Sequence, residues 1–155
     1  MTIASDWSDR FDQELASGML RLANSPEGGM DKGIPSYLGI RMVDVQPGVV
    51  TMELEVTDEL LNPFGAAHGA VLASIVDHAL GAAVFPLIPR GTWPATLEFK
   101  LNYLAPARPG TLRAVARVLS LTKKTATVAV DCENDGRLVG TALGTIALTP
   151  PKTTG

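Results

Sequence analysis

The stretch "HGAVLASIVDHALGAAV", residues 68–84, constrains the fold more than any other part of the chain. Wound into a helix, it is apolar nearly all round, because Ala70, Val71, Leu72, Ala73, Ile75, Val76, Ala79, Leu80, Ala82, Ala83 and Val84 leave only a thin polar stripe. Such a helix must be covered on most of its circumference. Pro86, Pro89 and Gly91 end it. The rest of the chain offers the cover as strands. Val50, Met52, Leu54 and Val56 alternate with Thr51, Glu53 and Glu55, the period of a half-buried strand. Gln46, Pro47 and Gly48 link it to an earlier run from Tyr37 to Val45, which makes a hairpin. Four further strands are expected at Ala95 to Leu104, Thr111 to Leu121, Thr125 to Glu133 and Leu138 to Leu148. Lys123 and Lys124 form one turn between them, and Asn134, Asp135 and Gly136 another. Before all of these, residues 8–23 read as an amphipathic helix carrying Phe11, Leu15, Met19 and Leu22 on one face. The turn-rich run from Asn24 to Gly29 closes it.

The expected class is therefore α+β: a largely antiparallel six-stranded sheet with the apolar helix across its concave face. The pattern alone leaves the hotdog arrangement as one option among several. The division expected is an N-terminal helix and loop at 1–35, a single domain at 36–149 and a loose tail at 150–155.

Composition excludes several classes of function. Sixteen acidic against thirteen basic residues give a charge of -3, without the clustered Lys and Arg that nucleic acid demands. The lone Cys132 rules out an intrachain disulfide and fits a reducing, cytoplasmic setting. The N-terminal residues lack a basic stretch followed by an apolar run, so no secretory signal is expected. No run reaches the ~18 to 20 uninterrupted apolar residues of a membrane span, because Asp77 and His78 break the best candidate. His68, His78 and Cys132 lack metal-ligand spacing, and no Gly-x-Ser-x-Gly stands anywhere.

The chemistry concentrates around the apolar helix. At its front, Asn62, Phe64, Gly65, His68 and Gly69 crowd into eight residues. The first N–H groups of a helix have no internal acceptor and carry the positive end of its dipole. They suit a carbonyl oxygen that gains negative charge during acyl transfer, and Gly69 lets a substrate approach the backbone closely. On this segment alone, turn geometry explains Gly65 and Gly69 equally well. Asp77 in mid-helix is sharper: it is either a general base or nucleophile in a cleft, or a residue on the helix's one solvent-facing edge beside His78. Eight residues along a helix set Gly69 and Asp77 ~12 Å apart. One reacting carbon cannot touch both within one chain, so joint action requires a second copy, with central helices antiparallel across a two-fold axis.

The ordered set Asn62-x-x-Gly65-x-x-His68-Gly69, followed by Asp77, resembles the phenylacetate-pathway (PaaI-like) branch of hotdog-fold acyl-CoA thioesterases. The similarity continues through "TLEFKLNYLAPARPG" and "ENDGRLVGTALGTI" and covers roughly residues 36 to 148. The resemblance implies a homodimer, or two dimers joined into a tetramer, acting on an acyl-CoA with no other cofactor. It implies that Asp77 is the catalytic carboxylate and that the Gly69 N–H polarises the thioester carbonyl. Asn62 and His68 line the same pocket, and Thr96 takes the place of a hydroxyl residue that holds water near the carboxylate. Ala70 departs from the family's frequent second glycine, which bears on pocket shape more than on mechanism. Arg90, Arg108, Lys123 and Lys124 are the basic candidates for gripping the CoA nucleotide; Phe64, Phe85 and Trp93 are candidates for shaping the acyl pocket. Two other readings use the same residues: a hydratase or dehydratase acting on acyl thioesters, and a non-catalytic acyl-CoA-binding domain.

Overall fold

A computed structural model of the chain describes residues 6–23, 25 and 33–150. The turn expected at 24–29 and most of the loose tail fall outside these residues, apart from Ser25 and Pro150. The apolar stretch is one helix, α3 (Gly69–Val84), with a tight helical turn, Phe85–Leu87, at its end. Val71, Leu72, Ile75, Val76, Ala79, Leu80, Ala83 and Val84 are all buried on it. The run Gly69–Leu87 is in fact long and apolar enough by composition to cross a membrane, which the sequence reading did not allow. Its apolar faces are instead spent on the sheet, and it is the core helix.

Six strands form that sheet: β1 (Arg41–Gln46), β2 (Val49–Val56), β3 (Trp93–Tyr103), β4 (Gly110–Leu121), β5 (Thr125–Asn134) and β6 (Arg137–Thr149). Their order is β1-β2-β4-β5-β6-β3, with every pairing antiparallel. The alternation read from β2 holds, since Val50, Met52, Leu54 and Val56 are buried. The same period runs through Leu112, Ala114, Ala116 and Val118 on β4 and Ala126, Val128, Val130 and Cys132 on β5. These side chains meet α3, which packs against β2 through β6. Where α3 crosses β6, Gly144 removes a side chain that could not fit: a Cβ there would stand 2.9 Å from both Leu80 Cδ1 and Phe99 Cβ. The β5–β6 turn lies where the sequence places one, but Asn134 ends β5 and the two turn residues at positive φ are Asp135 (49°) and Gly136 (80°).

Two elements depart from expectation. The helix read over 8–23 is broken into a short turn, Ser8–Arg10, and α1 (Gln13–Ala23). Asp12 imposes the break: its Oδ1 accepts the Leu15 N–H at 2.9 Å, so the helix is capped there and starts afresh. The strand read from Tyr37 begins only at Arg41. Pro35 opens a helical turn, α2 (Ile34–Tyr37), and Gly39 at φ 67° ends it and turns the chain into β1. α1 lies against β1 and the turn after α3. Trp7 fixes the segment before it, donating from Nε1 to the Val118 carbonyl at 3.1 Å and pressing its ring on Gly48.

Candidate active site

Two clefts open along α3 and share no lining residue. One sits at the helix start, with a volume of about 700 Å³. The turn before it is built by Asn62, whose Oδ1 accepts the N–H groups of Phe64 and Ala66 at 2.9 and 3.3 Å. Gly65, at φ 73°, lets that turn close. His68 is the N-cap of α3: its Nδ1 accepts the Ala70 N–H at 3.1 Å. With Nδ1 accepting, the ring proton stands on Nε2, so His68 has a donor to offer. Among the described residues the Gly69 N–H has no acceptor, as the first residue of a helix leaves it. Asn62, Phe64, His68 and Gly69 all line this cleft, so the polar residues grouped in the sequence are also grouped in space. Tyr103 completes the wall. Its hydroxyl donates to the Gly69 carbonyl at 3.0 Å, and a Cβ on Gly69 would lie 3.1 Å from that hydroxyl.

The second cleft, about 930 Å³, runs along the C-terminal half of α3. Asp77 faces it and is exposed in the single chain, so the alternative of a solvent-facing edge is the correct description of its burial. No described residue pairs with its carboxylate. Thr96 lines the same cleft from β3. A bulge between Thr96 and Glu98 inserts Leu97 as an extra residue and breaks the alternation that the sequence suggests for this strand. Phe85 and Trp93 also line it, whereas Phe64, grouped with them in the sequence, lines the first cleft. His78, beside Asp77, is half-buried; burial pushes its pKa down, and the neighbouring Asp77 charge only partly opposes this. It is therefore neutral at neutral pH. The motif search missed Met19, Leu22, Met42 and Gly81 in this cleft, and Tyr103 in the other. In the sequence Met19 and Leu22 belong to one apolar helix face, and only the packing of α1 shows that they face a cavity.

The basic candidates separate. Arg108 lines the first cleft and donates from Nη1 to the Gly65 carbonyl at 2.9 Å. Lys123 and Lys124 are exposed at the β4–β5 turn and line neither cleft. Arg90 lines neither cleft, and its Nε and Nη2 are engaged by carboxylates of the chain itself. It donates to Asp12 from Nε at 2.7 Å and from Nη2 at 3.1 Å, and to Glu14 at 2.8 Å. This clamp ties the start of α1 to the loop after α3. Hydrogen bonding from Arg90, with help from the Leu15 N–H, holds the Asp12 carboxyl at about 2, against an ordinary 3.8. A carboxyl whose pKa is depressed by folding stabilises the fold above its unfolded pKa and loses that contribution as pH falls towards the folded value. The stability difference between wild type and Arg90→Met should thus be level above the ordinary carboxylate range and shrink between 3.8 and about 2, as urea unfolding at stepped pH would show. The effect is modest, since the pair is solvent-screened.

An antiparallel six-stranded sheet closed around one core helix is the hotdog architecture. The model of the thioesterase superfamily matches residues 64–141. A 1,4-dihydroxy-2-naphthoyl-CoA hydrolase of Listeria monocytogenes is 31% identical over 93 residues, covering 60% of this chain and 76% of that protein. A putative thioesterase of Ralstonia eutropha, described as phenylacetic acid degradation-related, superposes with a TM-score of 0.74 at 29% identity, over 84% of this chain and 97% of that one. A mutant of the phenylacetic acid degradation protein PaaI of Thermus thermophilus gives 0.67 at 28% identity, over 73% and 96%. The chain belongs to the thioesterase superfamily, in its PaaI-like hotdog branch, and is a thioester hydrolase.

Proposed function

We propose that the chain hydrolyses an acyl-CoA thioester to the free acid and CoA, at a site completed by two copies of itself. The observation that carries this reading is the separation of the clefts: Gly69 and Asp77 stand on one helix yet open on different cavities. In a two-fold dimer with antiparallel α3 helices, the Gly69 cleft of one copy meets the Asp77 cleft of the other. β3 supports the dimer, being an edge strand of 11 residues with Trp93, Leu97 and Tyr103 exposed. A long apolar edge of this kind invites pairing with another strand.

In the assembled site the Asp77 carboxylate takes a proton from water, and the resulting hydroxide adds to the thioester carbonyl. The Gly69 N–H, at the positive end of the α3 dipole, holds the oxygen that becomes negative. Collapse breaks the carbon–sulfur bond, the acid departs, and the thiolate leaves as CoA after protonation. His68 Nε2 and the amide nitrogen of Asn62 are donors in the same cleft, suited to orienting the carbonyl or the sulfur. In this reading Thr96, which lines the same cleft as Asp77, holds the water. Arg108, at the Gly69 cleft, and the Lys123–Lys124 turn are the candidates for the CoA phosphates.

Thiol release from a panel of acyl-CoA substrates, run beside hydration of an enoyl-CoA, tests the proposal. Free CoA appearing without change in the enoyl chromophore is the expected result. Hydration without thiol release would assign the site to the other reaction, and binding without either would make it a carrier.

A further inference from the structure

The first turn of α3 is held by one bond more than a helix start requires. What a helix leaves unsatisfied at its N-terminus are N–H groups, whereas its first carbonyls accept from amides four residues on. The Gly69 carbonyl nevertheless accepts from the Tyr103 hydroxyl at 3.0 Å, across 34 residues of chain. Neither partner needs that bond for satisfaction. Tyr103 is 57% exposed, so its hydroxyl has water within reach, and His68 Nδ1 already caps the helix.

The effect of the bond is geometric. Gly69 has the most permissive backbone of any residue, so its own chemistry does not fix the direction of its N–H. The groups around it are fixed instead. The His68 N–H donates to the Leu60 carbonyl at 2.8 Å, and the His68 carbonyl accepts the Val71 N–H at 2.8 Å. His68 Nδ1 takes the Ala70 N–H at 3.1 Å, and Tyr103 secures the Gly69 carbonyl. The Tyr103 ring lies against Gly69 where a side chain would stand, with Cζ 3.2 Å and Cε1 3.4 Å from a Cβ built there. Tyr103 is itself anchored: it pairs with Gly140 of β6, and the Leu104 N–H donates to the Val139 carbonyl at 2.9 Å. All these bonds lie within one chain, so a second copy seated on β3 is not needed to form them.

We infer that Tyr103 is a positioning residue for the oxyanion donor: by tying the Gly69 carbonyl to the end of β3, its hydroxyl aims the Gly69 N–H. The inference rests on the reading of Gly69 as that donor. A donor held in place beforehand needs no reorientation as charge develops, so loosening it lowers the rate without weakening ground-state binding. The hydroxyl's single hydrogen is given to the Gly69 carbonyl, which leaves none to donate to the substrate.

Tyr103→Phe keeps the ring and removes only the hydroxyl. On whichever acyl-CoA of the panel wild type turns over fastest, kcat should fall about tenfold with KM held within about twofold, a smaller loss than the hundredfold or more of removing an oxyanion donor outright. The thermal midpoint should hardly move. A second readout uses the ketone analogue of that substrate, with a methylene in place of the sulfur and an isotope label at the carbonyl, which has no thioester to cleave. Its carbonyl stretch should be lowered on binding to wild type, and should return towards the free value in Tyr103→Phe. A brace that served stability alone would not move that band. Unchanged kcat in Tyr103→Phe overturns the inference, and so does a rise in KM with kcat kept, which would make the hydroxyl a substrate contact. A band lowered in wild type and equally lowered in the variant also overturns it while leaving the Gly69 reading intact. A band not lowered in wild type removes Gly69 as the donor, and the inference falls with it.

Discussion

Asp77→Asn is expected to lower thioester hydrolysis by about two to four orders of magnitude, the usual contribution of a positioned general base or more. The amide has nearly the shape of the carboxylate and still forms hydrogen bonds, but it cannot accept a proton from water or attack as an anion. The fold has little reason to respond. Asp77 is exposed in the chain and has no ion pair or hydrogen bond among the described residues. Its charge raises the pKa of His78, whereas burial lowers it further, so removing the charge leaves that ring neutral as before. Thiol release under saturating substrate, with thermal unfolding and sedimentation as controls, separates loss of chemistry from loss of structure. Full turnover in the variant would remove Asp77 from the mechanism.

Mixing two dead variants should restore activity, and this is the second large effect. Asp77→Asn alone damages every site in a dimer, and so does His68→Ala, which takes away the N-cap of α3 and the donor beside Gly69. When the two variants exchange subunits, each mixed dimer holds one site with both lesions and one with neither. Random exchange should recover about a quarter of wild-type activity, since half the dimers are mixed and each has one of two sites intact. If the carboxylate and the oxyanion donor acted within a single chain, mixing would restore nothing. Dilution and slow recombination of the separately purified variants, followed by thiol release, gives the answer.

Much of this arrangement is legible in the sequence because it is anomalous there. A carboxylate in an apolar helix and a polar, glycine-rich turn before it violate the local pattern, and such violations concentrate at sites. The spacing of Gly69 and Asp77, ~12 Å along one helix, also implies that one reacting carbon cannot touch both within a single chain. The alternation of β2, the core face of α3 and the Asp135–Gly136 turn follow from local periodicity and turn chemistry, which need no knowledge of distant contacts. What stays hidden depends on tertiary placement. Met19 and Leu22 look like any apolar helix face, and nothing local says that they border a cavity. Arg90 carries the charge expected of a phosphate contact, yet its partners lie 76 and 78 residues away. Leu97 keeps perfect alternation on paper, and the bulge at β3 that turns it outward shows only in the register.

The clamp between Arg90 and the start of α1 has a consequence for how such an enzyme can change over time. Only Ala16 of α1 is fully buried; Met19, Leu20 and Ala23 are half-buried against the core, and Arg90 adds a clamp to the loop after α3. The proposed catalytic pair, by contrast, is carried by the helix around which the whole sheet closes. Drift in Leu22, which is exposed and lines the cavity, can therefore reshape its wall while the core keeps its position. The cavity wall and the core are written largely on different parts of the chain, and one can be rewritten without erasing the other.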